Sequence, residues 1–350
     1  MPMFLRIGVA AGVALLLSLV ATPGVKWFAN RIGAIDVPRD TRRVHKSPIP
    51  RLGGLAIFIA FLLSVLFFVD ITKQIRGVLI GSVIIVIIGV IDDIMPLRAY
   101  IKLIFQIIAA GIAVYHNIII ENFTNLFVFN SSAYVYLGYL AIPITIVWIV
   151  AITNSFNLID GLDGLAVGVS TISSIVMLVI SFMVPDSDPN ISVIIAALTG
   201  ACLGFMPYNF NPAKIFMGDT GALLLGYVLA TVSILGLFKF HAVVSFAAPF
   251  LILALPLVDT AFAFLRRLLK GKNPMSPDRG HFHHRLIDMG LSQKQAVAIL
   301  YTISGLLGFV AVVITTSIEV KALILIAAVL IAATVIFVAF RGKGNKGSKK

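Results

Sequence analysis

Long uncharged stretches are the feature of this sequence that most restricts its fold. The stretch from Ile7 to Val25 contains no charged residue, and similar apolar runs recur along the 350 residues. A helix needs about 20 mostly apolar residues to cross the hydrocarbon core of a bilayer. Only 12% of the residues are charged, whereas a soluble domain carries about 25%, and the mean hydropathy is +1.05. We therefore predict an all-α integral membrane protein with a single polytopic transmembrane domain over residues 1–350.

Eleven membrane spans are predicted where charged residues and Gly, Pro and Asn breaks interrupt the apolar sequence. The first stretch is long enough to span and lacks a small-residue cleavage site, so we interpret it as a helix rather than a signal peptide. An odd number of spans places the two termini on opposite sides of the membrane. The predicted spans start near Ile7, Leu52, Gly77, Leu103, Ser131, Gly164, Pro189, Thr220, His241, Gln295 and Ala322.

Basic residues are distributed unequally between the two predicted faces. With eleven spans, 22 of the 27 lysines and arginines lie on one face and 5 on the other. Loops rich in Lys and Arg stay in the cytoplasm. This predicts a cell-membrane protein whose N-terminus is outside and whose C-terminus is cytoplasmic, with a basic tail at 341–350. Topology and lipid headgroups account for the net charge of +12, so no nucleic-acid partner is expected.

Polar motifs concentrate at the predicted cytoplasmic face, where we expect loops to form the active site. Asp160 and Asp163 are three residues apart, which on a helical turn would place them on one face. Asp219 begins the eighth span and could cap that helix, but capping alone does not explain five carboxylates on one face. The motifs are the first loop ending in HKSPIPRLGG, the pair Asp92 and Asp93, NSFNLIDGLDGL, NPAKIFMGDTG and RGHFHHRL.

The residue types in these motifs indicate phosphate chemistry. Carboxylate oxygens suit a hard cation, and Mg²⁺ is usually held by one or two carboxylates together with substrate phosphates. We therefore expect Mg²⁺, with Mn²⁺ as a substitute. Zinc at the histidines is disfavoured because Arg279 and Arg285 flank them, which leaves anion or base recognition as the preferred role and a plain surface loop as the alternative. Metal and cations together neutralise charge on a transferring phosphate.

In these motifs and their order the chain resembles the polyprenyl-phosphate N-acetylhexosamine-1-phosphate transferase family. The similarity extends from HKSPIPRLGG to HFHHRL, roughly residues 45–286. DD, NxxNxxDGLDGL, NPAxxFMGDTG and HxHH are specific in combination, although DD or GxxDG alone would be weak. The family includes the phospho-MurNAc-pentapeptide translocase of peptidoglycan synthesis and the enzymes that start teichoic acid and O-antigen.

The resemblance implies roles for individual residues of this chain. The metal ligand is Asp219. The catalytic set is Asp92, Asp93, Asp160 and Asp163, with the first two also implicated in binding the lipid phosphate. The substrate-binding set, in which Lys102 contacts phosphate and the histidine loop recognises the sugar nucleotide, is Lys46, Lys102, Asn154, Asn157, Lys214, His281, His283, His284 and Arg285.

The histidine loop also indicates a branch of the family. HFHHRL is closer to the HxHHRL of the branch that uses UDP-GlcNAc than to the HHH-then-acidic pattern of the pentapeptide translocases. The resemblance thus implies transfer of GlcNAc-1-phosphate from UDP-GlcNAc to undecaprenyl phosphate, giving undecaprenyl-diphospho-GlcNAc and UMP. The resemblance leaves open whether the protein forms a homodimer. It also leaves open whether the transfer takes one step or two.

Three other functions can be compared with the sequence features. A phospho-MurNAc-pentapeptide transferase of the same family remains open. A secondary transporter would place ionisable residues near the bilayer midplane, whereas here acidic residues sit at span ends, with Asp259 as the one exception. We expect Asp259 to be a packed polar residue near the cytoplasmic end of the ninth span. A CDP-alcohol phosphatidyltransferase is disfavoured because DGLDGL lacks the AR of DGxxAR.

Overall fold

The computed structural model describes residues 1–37, 47–124, 134–183, 188–236, 244–271 and 280–315. Three expectations lie outside these residues, namely the placement of Lys46, the eleventh span near Ala322 and the tail at 341–350. Within the described residues, seven helices are long and apolar enough to cross a membrane, and two further apolar helices are shorter. The protein is a predominantly helical, multi-pass membrane protein.

The helices and strands follow one another in a simple order. The long apolar segments become helices because each must satisfy its backbone hydrogen bonds internally in lipid. The elements are α1 Met3–Ile32, β1 Ile35–Asp36, β2 Ile49–Pro50, α2 Gly53–Phe68, α3 Lys73–Ile94, α4 Ala99–Tyr115, β3 Asn122–Thr124, β4 Tyr134–Tyr136, a 3₁₀ turn Gly138–Leu140, α5 Ala141–Ile159, α6 Leu165–Met183, α7 Pro189–Asn209, α8 Gly218–Gly236, α9 Val244–Ile252, α10 Ala254–Leu269, α11 Phe282–Asp288 and α12 Gln293–Thr315.

Two local features of the structure were not predicted from the sequence. The ninth span, expected as one helix, is divided into α9 and α10. Pro256 has no N–H to donate to the carbonyl of Ile252, and its ring crowds that turn, so the helix is interrupted there. Two short antiparallel strand pairs also form, β1 with β2 and β3 with β4. The first pair brings the segment before α2 close to the end of α1.

Helix α8 lies at the centre of the bundle. It packs against α2, α3, α5 and α6, and its side chains are buried almost without interruption. Helix α1 lies at the periphery, where it packs on α2 and α7 and leaves Phe4 and Trp27 exposed. Exposed apolar side chains on an outer spanning helix are suited to contact lipid rather than water.

The helix ends fall into two groups at opposite ends of the bundle. Arg6 Nη2 lies 3.3 Å from Asp70 Oδ2 and donates to Asn190 Oδ1 at 3.1 Å. These contacts join the start of α1 to the end of α2 and the start of α7. The start of α2, the end of α3 and the start of α8 meet at the other end of the bundle, where the polar motifs lie.

Small residues allow α1 and α7 to pack closely. A Cβ atom on Gly200 would collide with the carbonyl oxygen of Ala11, and one on Gly204 would collide with that of Leu15. Close backbone approach of this kind is typical of helix contacts in membranes, where small residues line the interface. By contrast, a Cβ atom on Gly12 would meet nothing within 4 Å.

We predict that Gly200→Ala lowers the melting temperature of the protein in detergent. Alanine favours an isolated helix over glycine by about 1 kcal/mol, but the backbone collision adds an overpacking cost of about 1–3 kcal/mol. Intrinsic-fluorescence melting measures the net effect. Gly12→Ala is the matched control and should not lower the melting temperature. Equal melting temperatures for the two variants would contradict the close packing of α1 on α7.

Candidate functional site

Asp93 caps helix α8 from a different helix. Its buried carboxylate accepts the N–H of Asp219 at 3.0 Å and both the N–H and the hydroxyl of Thr220, at 3.0 and 2.7 Å. The first N–H groups of a helix have no partner within that helix. A carboxylate placed there satisfies them and is stabilised by the helix dipole. The end of α3 is thereby fixed to the start of α8.

Lys102 connects Asp92 with Asp219. Its ammonium group lies 3.1 Å from Asp92 Oδ2 and 2.7 Å from Asp219 Oδ2. Asp92 Oδ1 also accepts the N–H of Leu97 at 2.7 Å, which holds the turn between α3 and α4. Three residues from three different helices therefore meet through direct contacts. Asp219, which the sequence suggested as a possible cap, has its carboxylate turned toward Lys102, while Asp93 performs the capping.

Backbone hydrogen bonds attach the segment before α2 to the segment before α8. Phe216 N–H donates to the carbonyl of Pro50, and the N–H groups of Gly53 and Gly54 donate to the carbonyls of Phe216 and Met217. The intervening Arg51 lies with its Nε 3.4 Å from Asp93 Oδ1. Although burial opposes its charge, the surrounding carboxylates raise the pKa of Arg51 above its ordinary value.

Asp160 and Asp163 do not share a helical face, contrary to the prediction. Helix α5 ends at Ile159 and α6 begins at Leu165, so both carboxylates lie in the intervening turn. Gly164 has φ +80°, which a helix cannot contain. Asp163 Oδ2 instead accepts Asn211 Nδ2 at 2.9 Å and the N–H of Ala213 at 3.0 Å, which ties this turn to the loop between α7 and α8.

These segments enclose a cavity of about 250 Å³. Its wall combines four carboxylates with amide side chains, one aromatic ring and one guanidinium. The cavity is therefore acidic and lined by hydrogen-bonding groups at the end of the bundle where the motifs converge. The lining residues are Asp36, Arg51, Asn157, Asp160, Gly161, Leu162, Asp163, Asn209, Phe216, Gly218, Asp219, His284 and Gln293.

Burial and crowding of like charge affect Asp160 most clearly. Burial, followed by the carboxylates of Asp219 and Asp93, raises the pKa of Asp160 to about 8. A carboxyl group with that pKa holds a proton at neutral pH unless a cation is brought close to it. The cavity therefore favours the binding of a cation.

The histidine loop forms the short helix α11, anchored by Asp259. One carboxylate oxygen of Asp259 lies 2.9 Å from His281 Nδ1, and the other accepts the N–H of Phe282 at 2.8 Å. His283 is buried against Gly161, with no hydrogen-bond partner found for its Nδ1 in the part of the chain described. Burial lowers the pKa of His283 to about 3, so this ring is neutral at physiological pH. His284 is the histidine of the loop that lines the cavity.

Several predicted residues lie away from the cavity wall. Asn154 exchanges hydrogen bonds with Gln106 of α4. The side chains of Lys214 and Arg285 are exposed. Their predicted substrate contacts remain predictions.

The site also contains residues to which the sequence motifs did not assign a role. Arg51, Asp36 and Gln293 line the cavity, and Asp259 anchors the histidine loop. Arg51 stands within HKSPIPRLGG, so that motif contained a signal for it. Asp36 and Gln293 carry no local signal because they reach the site only through the fold.

The cavity residues fit a hard divalent cation. Asp219, Asp160 and Asp163 line the cavity with carboxylate side chains, and oxygen donors are what Mg²⁺ prefers. Among the described residues no group of three or more His, Cys, Asp or Glu side chains is already arranged to hold a metal. Mg²⁺ usually takes one or two protein carboxylates and completes its shell with water and substrate phosphate, so it does not need such a group.

The chain matches a known family profile over its central part and known proteins over most of its length. Residues 75–237 match the sequence profile described as Glycosyl transferase family 4. A "Probable undecaprenyl-phosphate N-acetylglucosaminyl 1-phosphate transferase" of Bacillus subtilis is 40% identical over 318 residues, covering 89% of this chain and 86% of that protein. A "Decaprenyl-phosphate N-acetylglucosaminephosphotransferase" of Mycolicibacterium smegmatis is 35% identical, covering 85% and 79%.

A relative with a different donor is also similar, over less of the chain. A "Phospho-N-acetylmuramoyl-pentapeptide-transferase" of Staphylococcus aureus is 33% identical over 286 residues, covering 76% of this chain and 85% of that protein.

We predict that Asp93→Ala destabilises the protein as well as the site. The substitution leaves two buried N–H groups at the start of α8 without an acceptor, at a cost of about 1–3 kcal/mol each. Melting in detergent measures the loss. Asp93→Asn keeps one side-chain oxygen as an acceptor and should lose less. An unchanged melting temperature for Asp93→Ala would contradict the capping role.

We predict that Asp160 makes the metal-free protein less stable as pH rises from about 4 to about 8. The native carboxyl keeps its proton up to a pKa of about 8, whereas the unfolded chain loses that proton near pH 4. The unfolded state therefore binds fewer protons in this window, and the stability contributed by the group falls as pH rises. Asp160→Asn should raise the melting temperature in EDTA at pH 8 and have less effect near pH 4. An equal effect at both pH values would be inconsistent with this titration.

Proposed function

Because the chain belongs to the polyprenyl-phosphate N-acetylhexosamine-1-phosphate transferases of glycosyl transferase family 4, we propose that it transfers GlcNAc-1-phosphate from UDP-GlcNAc to undecaprenyl phosphate. The products are undecaprenyl-diphospho-GlcNAc and UMP. The observation that carries this proposal is the contact of Lys102 with both Asp92 and Asp219, which brings the DD motif, the lysine and the MGDTG motif to one place beside a polar cavity.

The cavity is the proposed binding site for the donor. Its hydrogen-bonding wall, with Asn157, Asn209 and Gln293, and the ring of Phe216 suit a nucleotide base and ribose. Asp219 lies on the same wall, so a diphosphate bound there would lie near the Asp92–Lys102–Asp219 group. His284 reaches this wall from α11, which supports a role for the histidine loop in recognising the donor.

The acceptor phosphate is proposed to meet Lys102. Its ammonium group is part-exposed and lies at the end of α4 that carries the site. A phosphate arriving there would replace one of its two carboxylate partners. The acceptor phosphate has a second pKa of about 6, so it is mostly dianionic at pH 7 and can attack with little help from a base. Asp92 then has a positioning role, or accepts the remaining proton.

Mg²⁺ is the proposed metal, with Mn²⁺ as a substitute. Asp219 would hold it, together with Asp160 or Asp163 from the facing turn. When bound, the cation neutralises charge on the diphosphate. A cation held there would also favour the charged form of Asp160, because a nearby positive charge stabilises a carboxylate.

The proposed reaction is an in-line substitution at the sugar-bearing phosphorus. An oxygen of the acceptor phosphate forms a bond to the β-phosphorus of the donor. The bond from that phosphorus to the oxygen bridging the two phosphates breaks, and UMP leaves with the bridging oxygen. Protein side chains act mainly by holding the two phosphates together, which is the largest contribution available when little covalent chemistry is required of the enzyme.

The site is proposed to face the cytoplasm. Basic loops are kept in the cytoplasm, and the site end of the bundle carries Arg31, Arg51, Arg98 and Lys102. A soluble nucleotide sugar would then reach a phosphate held at the membrane surface. The phospho-MurNAc-pentapeptide donor is the less favoured substrate, because the GlcNAc-named relatives are more similar over more of the chain.

We predict that Asp219→Ala and Lys102→Met abolish UMP release by the purified protein supplied with UDP-GlcNAc, undecaprenyl phosphate and Mg²⁺. Each variant breaks the contact that joins the motifs, and loss of one such charged partner costs about 10²–10³-fold in rate. EDTA should stop the wild-type reaction, and Mn²⁺ should restore it.

Arg98→Gln is the control. Arg98 is an exposed cation on the same face that does not line the cavity, and its loss should leave turnover unchanged. Wild-type turnover in Asp219→Ala or Lys102→Met would overturn the proposed site. Turnover of a UDP-MurNAc-pentapeptide in place of UDP-GlcNAc would overturn the proposed donor.

A further inference from the structure

We propose that Arg51 is a donor-binding residue whose guanidinium contacts the diphosphate in the cavity. This inference deepens the proposed function and rests on it. Three observations support the assignment: the backbone that presents Arg51, the anchoring of one edge of its guanidinium, and the charge of the cavity wall that it joins.

The backbone beside Arg51 is held in a conformation that a leucine rarely adopts. Leu52 has φ +87° and is fully buried. A non-glycine residue in this region costs of order 1–3 kcal/mol and persists only where the surroundings enforce it. Here they do, because the backbone of Pro50, Gly53 and Gly54 is hydrogen-bonded to Phe216 and Met217. The enforced turn sets Arg51 beside the start of α8.

One edge of the guanidinium is already occupied and the other is available. Arg51 Nε lies 3.4 Å from Asp93 Oδ1, and Asp93 is itself fixed by capping α8. In the described part of the chain, no hydrogen bond is found from the Nη atoms of Arg51, although the residue lines the cavity. A planar guanidinium held on one side presents its remaining N–H groups in a fixed fork, a geometry that matches two phosphate oxygens.

The charge of the cavity favours such a group. Among the described residues that line it, Arg51 is the one with a permanent positive charge, and it shares the lining with the carboxylates of Asp36, Asp160 and Asp219. Lys102 is engaged with Asp92 and Asp219, and Lys214 is exposed. A cationic side chain on the wall would attract a diphosphate into this acidic cavity, in addition to the proposed Mg²⁺.

A purely structural role for Arg51, as the counter-charge of Asp93, predicts a different result. In that role Arg51 would stabilise the start of α8. Its removal would then lower the stability of the fold and weaken the binding of donor and acceptor alike. Contact with the diphosphate concerns the donor alone. The two roles are therefore separated by comparing the donor with the acceptor in the same variant.

The test measures UDP binding by calorimetry and the KM of each substrate in UMP-release assays with Mg²⁺. For Arg51→Gln, we expect UDP affinity to fall about 10- to 100-fold, as for loss of a hydrogen bond to a charged group. The KM of UDP-GlcNAc should rise, and the KM of undecaprenyl phosphate should stay the same. Arg51→Lys keeps the charge without the fork and should bind UDP with intermediate affinity. Arg98→Gln is the matched loss of a cation and should bind UDP like wild type.

Several outcomes would overturn the inference. Unchanged UDP affinity in Arg51→Gln would do so, as would an equal rise in the KM of donor and acceptor. If Arg51→Gln does not fold, Arg51→Lys decides the question, since wild-type UDP affinity in that variant would exclude a fork contact. Failure of the proposed function would be distinguishable, because the wild-type protein itself would then neither bind UDP nor release UMP.

Discussion

The carboxylate of Asp93 is the contact on which the arrangement of the site depends. It is buried at the end of α3, yet it receives three hydrogen bonds from the start of α8 and lies beside Arg51. A buried carboxylate without such partners would cost several kcal/mol, so the helix ends and the arginine are held together by the need to satisfy it. The same contact leaves Asp219, the second residue of α8, free to face Lys102.

Electrostatic crowding follows from that arrangement. The site gathers carboxylates from α3, α8, the 160–164 turn and β1, and it matches them with Lys102 and Arg51. The carboxylates still outnumber these two cations, and burial together with neighbouring carboxylates raises the pKa of Asp160. A site with surplus negative charge is suited to a divalent cation, and the cation then makes the same site able to accept the phosphates of a donor and an acceptor.

Sequence patterns predicted the features that depend on local composition. The apolar segments predicted the spanning helices, and the motifs identified Asp92, Asp160 and Asp219, which the fold brings to one end of the bundle. Local patterns could not predict that Asp93 caps a helix 126 residues away, or that Asp259 anchors His281. The helical spacing of Asp160 and Asp163 was misleading because Gly164 ends the turn with a positive φ. Contacts between distant segments, and the strain at Leu52 that they enforce, become visible only in the fold.

In the proposed reaction a sugar phosphate, rather than a sugar, is transferred. The position of an isotope label in the donor tests this most directly. UDP-GlcNAc carrying ³²P at the β-phosphorus would be supplied to the purified protein with undecaprenyl phosphate and Mg²⁺, and the lipid and aqueous phases would be separated. We predict that the label enters the lipid product and that unlabelled UMP is released in equal amount. Label retained in aqueous UDP, with GlcNAc alone in the lipid, would contradict the account.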